Sequence, residues 1–521
     1  MFWLVLSVKI AKSSFLFAIW LFCMIYLAKY YGVRVMSELI GRKKEKEVLE
    51  RLLQSNKAEF LAIYGRRRVG KTFLISHFFR HKGFYFEITG SPDAPKHEQL
   101  SNFADALAEQ MFNGIPQPIP KTWSKAFTHL RLAIDQVAKD QKKVILFFDE
   151  LPWLASKRSG FLSAFQYAWN HYFSRDSRII LIVCGSAASW MIKNIIYNKK
   201  GLYGRLTAEI RLAPYTLDET ETYLKAQNVT LDRRQITDIY MALGGIPQYL
   251  SLVLPGKSSA QVIQELCFQP GGTMVTEFYK LYRSLFDEPM RYIKVIEALK
   301  SHRYGLSRGD IAKAIGIKQG GSLAEMLRAL VESGFIMHLP DIGKKTKGGR
   351  FILVDEYSLF YLSWIKEAIE SHAMGIANYW LRKHETSAYL SWAGYAFEAV
   401  CYRHIDRIIK ALGLTAVATS VTSWTHHVPK GSKEEGAQID LVIDRADKCM
   451  NLCEIKFSQE QITMDKRFVN ELERKIRIFR NVTKTRKTLF TTIISAFGIN
   501  ENDYSRGYLH SQLTLDALFQ L

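Results

Sequence analysis

The sequence predicts an α/β fold built on a buried parallel sheet, and three stretches carry that expectation. Leu61 to Tyr64 is apolar and breaks into Gly65-Arg66-Arg67-Arg68-Val69-Gly70-Lys71-Thr72, the G-x-x-x-x-G-K-[ST] pattern. Val144 to Phe148 is a second apolar run ending in Asp149-Glu150, and Arg178 to Ser186 (RIILIVCGS) is a third. Short apolar runs that end in polar residues read as strands covered on both faces. FLISHFF after Thr72 opens a helix, so the glycine-rich pattern lies between a strand and a helix.

That context gives each residue a chemical task. Glycines at both ends let the loop wrap closely and aim successive N–H groups at phosphate oxygens. Lys71 reaches the β/γ-phosphates of a nucleotide, and the Thr72 hydroxyl ligates Mg²⁺. Downstream, Asp149 holds Mg²⁺ through its water shell, while Glu150 orients or deprotonates the attacking water. Ser186 either sits beside the γ-phosphate as a sensor or caps the next helix. Arg205, in the turn-rich GLYGRLT, is either an arginine finger offered to a neighbouring subunit or a solvated loop arginine.

Together these pieces resemble the AAA-type and STAND branch of P-loop ATPases. The nearest likeness is a prokaryotic family that opens on a hydrophobic-Ile-Gly-Arg box and carries an Arg-rich phosphate loop. The box here is Leu39-Ile40-Gly41-Arg42, followed by the amphipathic KKEKEVLERLL. The resemblance implies a P-loop NTPase (AAA-like) core that binds ATP with Mg²⁺, with Ile40, Gly41 and Arg42 on the adenine side. It also implies that Gly244-Gly245-Ile246-Pro247 is a relay that reads nucleotide state from a helical subdomain. The likeness covers roughly residues 39–250 and extends more loosely to the C-terminus.

Composition sets limits. At 521 residues the chain is too long for one core. The expected division is a hydrophobic segment (1–35), the P-loop ATPase core (36–215), a helical lid (216–287), a winged helix-turn-helix (288–365) and a nuclease-like domain (366–521). Six scattered cysteines complete no metal set and suit a reduced cytosolic protein. The net charge of +21 suggests an acidic partner, nucleic acid first and an anionic membrane surface second. Nothing resembles the small-molecule acceptor site of a metabolic kinase. Residues 13–28 are uncharged but fall short of the ~20 residues that span a bilayer. They read as a signal anchor, an interfacial segment, or sequence before the true start. Met36, directly before the family box, favours the last. A cytoplasmic location is expected, with membrane anchoring through residues 13–28 as the alternative.

From Pro289 to Leu339 the pattern gives three short helices (MRYIKVIEAL, LSRGDIAKAIG capped by Ser307, SLAEMLRALVESG) and a strand, FIMHL. A basic turn and a returning strand over residues 351–362 complete a winged helix-turn-helix. As a DNA binder it places residues 322–334 in a major groove, with Lys344, Lys345, Lys347 and Arg350 on phosphates. The alternative is a packing lid.

The tail holds a second constellation. Residues 396–409 read as a helix carrying Glu398, QIDLVI as a strand carrying Asp440, and NLCEIKF as a strand carrying Glu454 and Lys456. Residues two apart on a strand share a face, so Glu454 and Lys456 project together. Asp440 can meet Glu454 around a hard divalent cation, and Lys456 can orient or deprotonate a water that attacks phosphorus. This resembles the PD-(D/E)xK nuclease core, with Glu398 as the extra acid of many members and Gln438 as a departure from the usual pattern. Residues 466–487 add nine Lys/Arg against two acids. The sequence therefore reads as an ATP-hydrolysing ATPase coupled to a nucleic-acid-binding, nuclease-like tail, with DNA favoured over RNA. The alternative is a nucleotide-gated signalling or scaffold ATPase whose inactive nuclease fold binds a protein. An arginine finger at Arg205 would require a homo-oligomer.

Overall fold

The computed structural model describes residues 39–196, 204–342, 348–384, 386–428 and 435–520. The N-terminal apolar segment and the wing residues Lys344, Lys345 and Lys347 lie outside the described residues. Among those described, no helix is long and apolar enough to cross a membrane.

Five parallel strands form the first sheet: β1 (Glu59–Tyr64), β2 (Phe84–Thr89), β3 (Val144–Asp149), β4 (Ile179–Gly185) and β5 (Ala208–Arg211), in the order β2-β3-β4-β1-β5. Every residue of β1, β3 and β4 is buried, which is why these strands are apolar throughout rather than alternating. Alternation survives in the direction of the side chains. Phe60 and Ala62 pack with Phe127, Phe161 and Trp169 on one face, while Leu61 and Ile63 meet Leu49 and Leu74 on the other. Leu49 comes from the helix Lys43–Gln54, whose apolar stripe faces the sheet.

Four longer helices follow (Leu217–Ala226, Arg233–Leu243, Ser259–Phe268 and Thr273–Leu285), with the one-turn helix Pro247–Leu250 between the second and third, and side chains start the first three of the four. Thr216 and Ser258 form capping boxes, while Asp232 accepts from the Gln235 N–H. Next come Pro289–Lys300, Arg308–Ala314 with Ser307 as its cap, and Gly321–Glu332. The antiparallel pair β6 (Ile336–Leu339) and β7 (Arg350–Leu353) closes this part. The returning strand expected over residues 351–362 stops at Leu353. Asp355 Oδ2 accepts from the Ser358 N–H at 2.9 Å and starts the helix Glu356–Phe360, so a cap overrides the apolar run.

The last sheet is mixed: β8 (Thr419–His426), β9 (Ala437–Arg445), β10 (Cys449–Lys456), β12 (Thr488–Ser495) and β14 (Ser511–Leu513), in the order β14-β12-β10-β9-β8. The short β11 (Ile462–Thr463) and β13 (Ile499–Asn500) pair separately. β9 and β10 are antiparallel with Leu441 opposite Cys453, so Asp440 and Glu454 come next in register. The helix expected over residues 396–409 is two helices, Ser387–Arg403 and Ile405–Ala411, broken at His404.

His404 ties this part to the helical layer. Its Nε2 accepts from the Leu217 N–H at 2.9 Å, and its Nδ1–H donates to the Val400 carbonyl at 2.8 Å. Burial holds its pKa down at about 4, against an ordinary 6.5. Between those values the unfolded chain binds a proton that the folded chain refuses. The stability this group confers is therefore complete above pH 6.5 and is lost as pH falls toward 4. His404→Gln keeps an acceptor for Leu217 without the titration. Denaturant melts across that window should show the wild-type chain losing more stability on acidification than the variant. Parallel curves would refute this role.

Candidate nucleotide site and the surfaces around it

The chemistry gathers at the carboxyl ends of β1, β3 and β4, where an open parallel sheet leaves a crevice. The loop after β1 leads into the helix Lys71–Phe79. Gly70, at φ +91°, is left-handed, and a Cβ there would meet nothing within 4 Å, so the space above the loop is open. Lys71 is buried, and its ammonium donates to the carbonyls of Gly65 and Arg66 and to Ser186 Oγ, at 3.1, 3.1 and 3.2 Å.

Thr72 Oγ1 donates to Asp149 Oδ2 at 2.6 Å, joining the loop to the end of β3. Glu150 adopts a left-handed backbone (φ 46°) that turns its carboxylate toward β4. It accepts from the Ser186 hydroxyl and, at 3.2 Å, from the Ser186 N–H. A non-glycine residue held in this region marks a position fixed by its surroundings. Lys71, Ser186 and Glu150 thus form one continuous chain of hydrogen bonds.

A cavity of about 470 Å³ opens over these groups. Its lining includes Leu39, Arg42, Arg67, Arg68, Val69, Gly70, Lys71, Thr72, Glu150, Ser186, Tyr215, Tyr223 and Pro247. The donor set fits a nucleoside triphosphate with Mg²⁺: cations and open loop backbone for phosphates, a hydroxyl and a carboxylate for a hard cation, and aromatic walls for a base. Arg42 anchors the family box. Its backbone N–H meets Glu219 Oε1 at 2.7 Å, its guanidinium donates to the Ala213 and Val69 carbonyls, and it lies 4.6 Å from the Tyr215 ring centroid. Ile40 is buried in the core, and a Cβ on Gly41 would collide with Glu219, so these two shape the wall without lining it.

The segment Gly244 to Pro247 is equally constrained. Gly244 ends the helix Arg233–Leu243, and Gly245 accepts from the Tyr215 N–H at 2.6 Å. A Cβ on Gly245 would lie 1.9 Å from the Tyr215 carbonyl oxygen, so only glycine fits.

The three arginines of the loop diverge. Arg67 faces the cavity. Arg68, left-handed at φ 71°, lines it too but pairs with the buried Glu277 at 2.5 Å. Arg66 is absent from the lining; it is buried and pairs with Asp355. Arg205 is exposed in a turn before β5 and does not line its own chain's cavity. The sequence reading missed Asp355, Glu277, Glu219 and Tyr215. No local pattern distinguishes them, since each is joined to its arginine only by the fold.

Elsewhere the helix Gly321–Glu332 lies against the end of the parallel sheet. Arg211 of β5 donates to the carbonyls of Val331 and Glu332 at its C-terminal end. Its outer residues Glu325, Arg328 and Glu332 line a cleft of about 990 Å³ with Lys157, Arg158 and Lys193.

In the tail, Glu398 and Asp440 share a small enclosed space with Arg303, Tyr402 and Gln438. Asp440 accepts from the Ile455 N–H at 2.9 Å and the Gln438 amide at 3.0 Å. Arg303 bonds the Glu398 carboxylate, and Lys456 and Lys475 both bond Glu454 at 2.8 Å. Burial, then Asp440, pushes the Glu398 pKa up to about 8; burial, then Glu454, raises that of Asp440 to about 6. Among the described residues no group of three His, Cys, Asp or Glu side chains is placed to hold a metal ion.

Residues 39–253 match a domain profile described as an ATPase domain predominantly from Archaea. An uncharacterized protein of Methanocaldococcus jannaschii is 26% identical over 448 residues, spanning 84% of this chain and 92% of its own length. An uncharacterized ATP-binding protein of the same organism is 54% identical over 52 residues, which cover 10% of this chain and 83% of that protein. The Walker-type ATPase of Pyrococcus abyssi is similar with a TM-score of 0.47 at 17% identity, covering 63% of this chain and 97% of its own. The ORC2 protein of Aeropyrum pernix reaches 0.40 at 15%, covering 64% and 96% respectively. Residues 39–253 of this chain are a P-loop ATPase domain.

Proposed function

We propose that the chain is an ATP-hydrolysing switch whose C-terminal half engages nucleic acid. The observation that carries the first part is the bonded network of Lys71, Thr72, Asp149, Glu150 and Ser186 at three strand ends. ATP supplies the phosphoanhydride to be broken, and Mg²⁺ the counter-charge for it. Lys71 and the open N–H groups of the loop bind phosphate, Thr72 and Asp149 hold the cation, and Arg42 with Tyr215 bounds the base. Glu150, steadied by two donors from Ser186, accepts a proton from a water or orients it. Pro247 at the cavity wall carries nucleotide state into the helical layer. Arg205, exposed and away from its own cavity, suits a finger for a second copy.

The second part rests on charge and placement. The net charge of +21, the cations Lys157, Arg158, Lys193 and Arg328 of the large cleft, and the exposed Lys466, Arg467, Arg480, Lys484 and Arg486 favour a polyanion. In this reading the three helices and β6–β7 hairpin of residues 289–353 act as a winged helix, and the mixed sheet as a nuclease-like fold. Binding without cutting is favoured for the tail, because Arg303 already pairs with Glu398, and Lys456 and Lys475 with Glu454. A gated scaffold that binds a protein through the same tail is the competing outcome. The reading places the chain in the cytoplasm, where ATP is available.

Lys71→Ala should lower steady-state ATP hydrolysis by about 100-fold or more, the scale of losing one pre-set charge-stabilising donor. Hydrolysis undiminished in that variant would sink the assignment. Double-stranded DNA should raise turnover at low salt and lose that effect as salt rises, because phosphate contacts release counterions. Turnover indifferent to both DNA and RNA would favour the protein-binding scaffold.

A further inference from the structure

Arg66 is the one member of the arginine run that turns its back on the nucleotide. Its side chain is buried, lies 5.0 Å from the Phe335 ring centroid, and pairs with Asp355, 289 positions away in sequence. Among the described residues its Nε and Nη2 find no hydrogen-bond partner, so Asp355 is its polar anchor. Asp355 is fully buried; its other oxygen caps the helix Glu356–Phe360. Arg403, from the helix Ser387–Arg403 of the tail, donates to the carbonyls of Gly334 and Val354 and holds the segment on either side. At the opposite end of the same residue, the Arg66 carbonyl accepts from the Lys71 ammonium at 3.1 Å.

We propose that Asp355 is a positioning residue for the ATPase site: through the Arg66 side chain it fixes the Arg66 carbonyl, and through that carbonyl it places the Lys71 ammonium. The loop's grip on ATP then depends on where the tail holds the segment 354–356. The pathway is short and contiguous, passing from Arg403 to Val354, just past the end of β7, to Asp355, to Arg66 and to Lys71. It touches no ligand until its last member. This inference rests on the ATPase reading above, and it names the C-terminal half as what regulates that site.

A double-mutant cycle on the full chain separates this role from plain structural support. Asp355→Asn keeps a cap for the helix but removes the charge, and Arg66→Met removes its counterpart. Asp355→Asn leaves the buried Arg66 without its counter-charge, and Arg66→Met leaves Asp355 only the more distant Arg403, 3.9 Å away, so each single variant should lower the melting temperature. The double variant, with neither charge buried, should regain most of it. KM for ATP, however, should stay raised on the order of tenfold in the double variant, the scale of coupling between groups in one network. kcat should change less, because the Thr72, Asp149 and Glu150 contacts remain. A double variant that regains both melting temperature and KM would overturn the inference and leave the pair structural. Lys71→Ala, run beside it, tests the ATPase reading alone. Turnover surviving that variant would fail the parent reading, whatever the cycle shows.

Discussion

The order of strands in the parallel sheet is the constraint from which the site follows. Because β4 lies between β1 and β3, the residue just past its end, Ser186, falls between the phosphate loop and the Asp149-Glu150 pair. A hydroxyl at that place can touch Lys71 on one side and Glu150 on the other, and it does. The loop has little freedom to leave this arrangement. A Cβ on Gly65 would lie 2.3 Å from the Leu212 carbonyl oxygen, so the chain leaves β1 pressed against the end of β5. Backbone packing on one side and the Thr72–Asp149 hydrogen bond on the other hold the loop in place. That pre-setting is what gives such a site its catalytic value.

Buried charge does a second job, joining distant parts of the chain. Glu356, next to Asp355, lies against Gly244: a Cβ there would sit 3.1 Å from Glu356 Oε2. Burial pushes the Glu356 pKa up to about 7, while the neighbouring Arg403 pulls it down. The phosphate loop, through Arg66, and Gly244 therefore meet neighbouring carboxylates, Asp355 and Glu356. Buried ion pairs contribute little net stability, because desolvation offsets attraction, but removing one partner is costly. Their effect here is to specify geometry. The segment 354–356 is thereby held against both the phosphate loop and the end of the helix Arg233–Leu243.

What could be read from the sequence was what depends on neighbours in sequence. The three apolar strands, the loop pattern and the Ser307 cap are local signals, and each falls where its pattern put it. The strand expected over 351–362 failed for the same kind of reason: an Asp at a capping position outcompeted a run of apolar residues equally suited to a buried helix. The arginine run shows the limit most clearly. Three consecutive arginines look alike in sequence. In the loop their directions depend on backbone angles, such as the left-handed φ of Arg68, and these send one side chain to the cavity, one to Glu277 and one to Asp355. Only the fold supplies those partners.

The same distinction bears on how a basic chain meets a polyanion. Net charge says that a partner is attractive, not where it sits. The helix Gly321–Glu332 has a reader's place in sequence, after two helices and before a hairpin. Yet Arg211 holds its last carbonyls, and Arg328 faces the core across the cleft. A duplex, whose major groove about 12 Å wide must take a whole helix, cannot engage that face without prising the three helices from the core. The helix Lys466–Thr483 carries its exposed cations on an uncovered face and needs no such rearrangement. Contact through the tail can therefore occur in the arrangement described, whereas reading by the helix Gly321–Glu332 is tied to a change in how that unit docks. Asp355, two residues beyond the end of β7, lies where such a change would reach the phosphate loop.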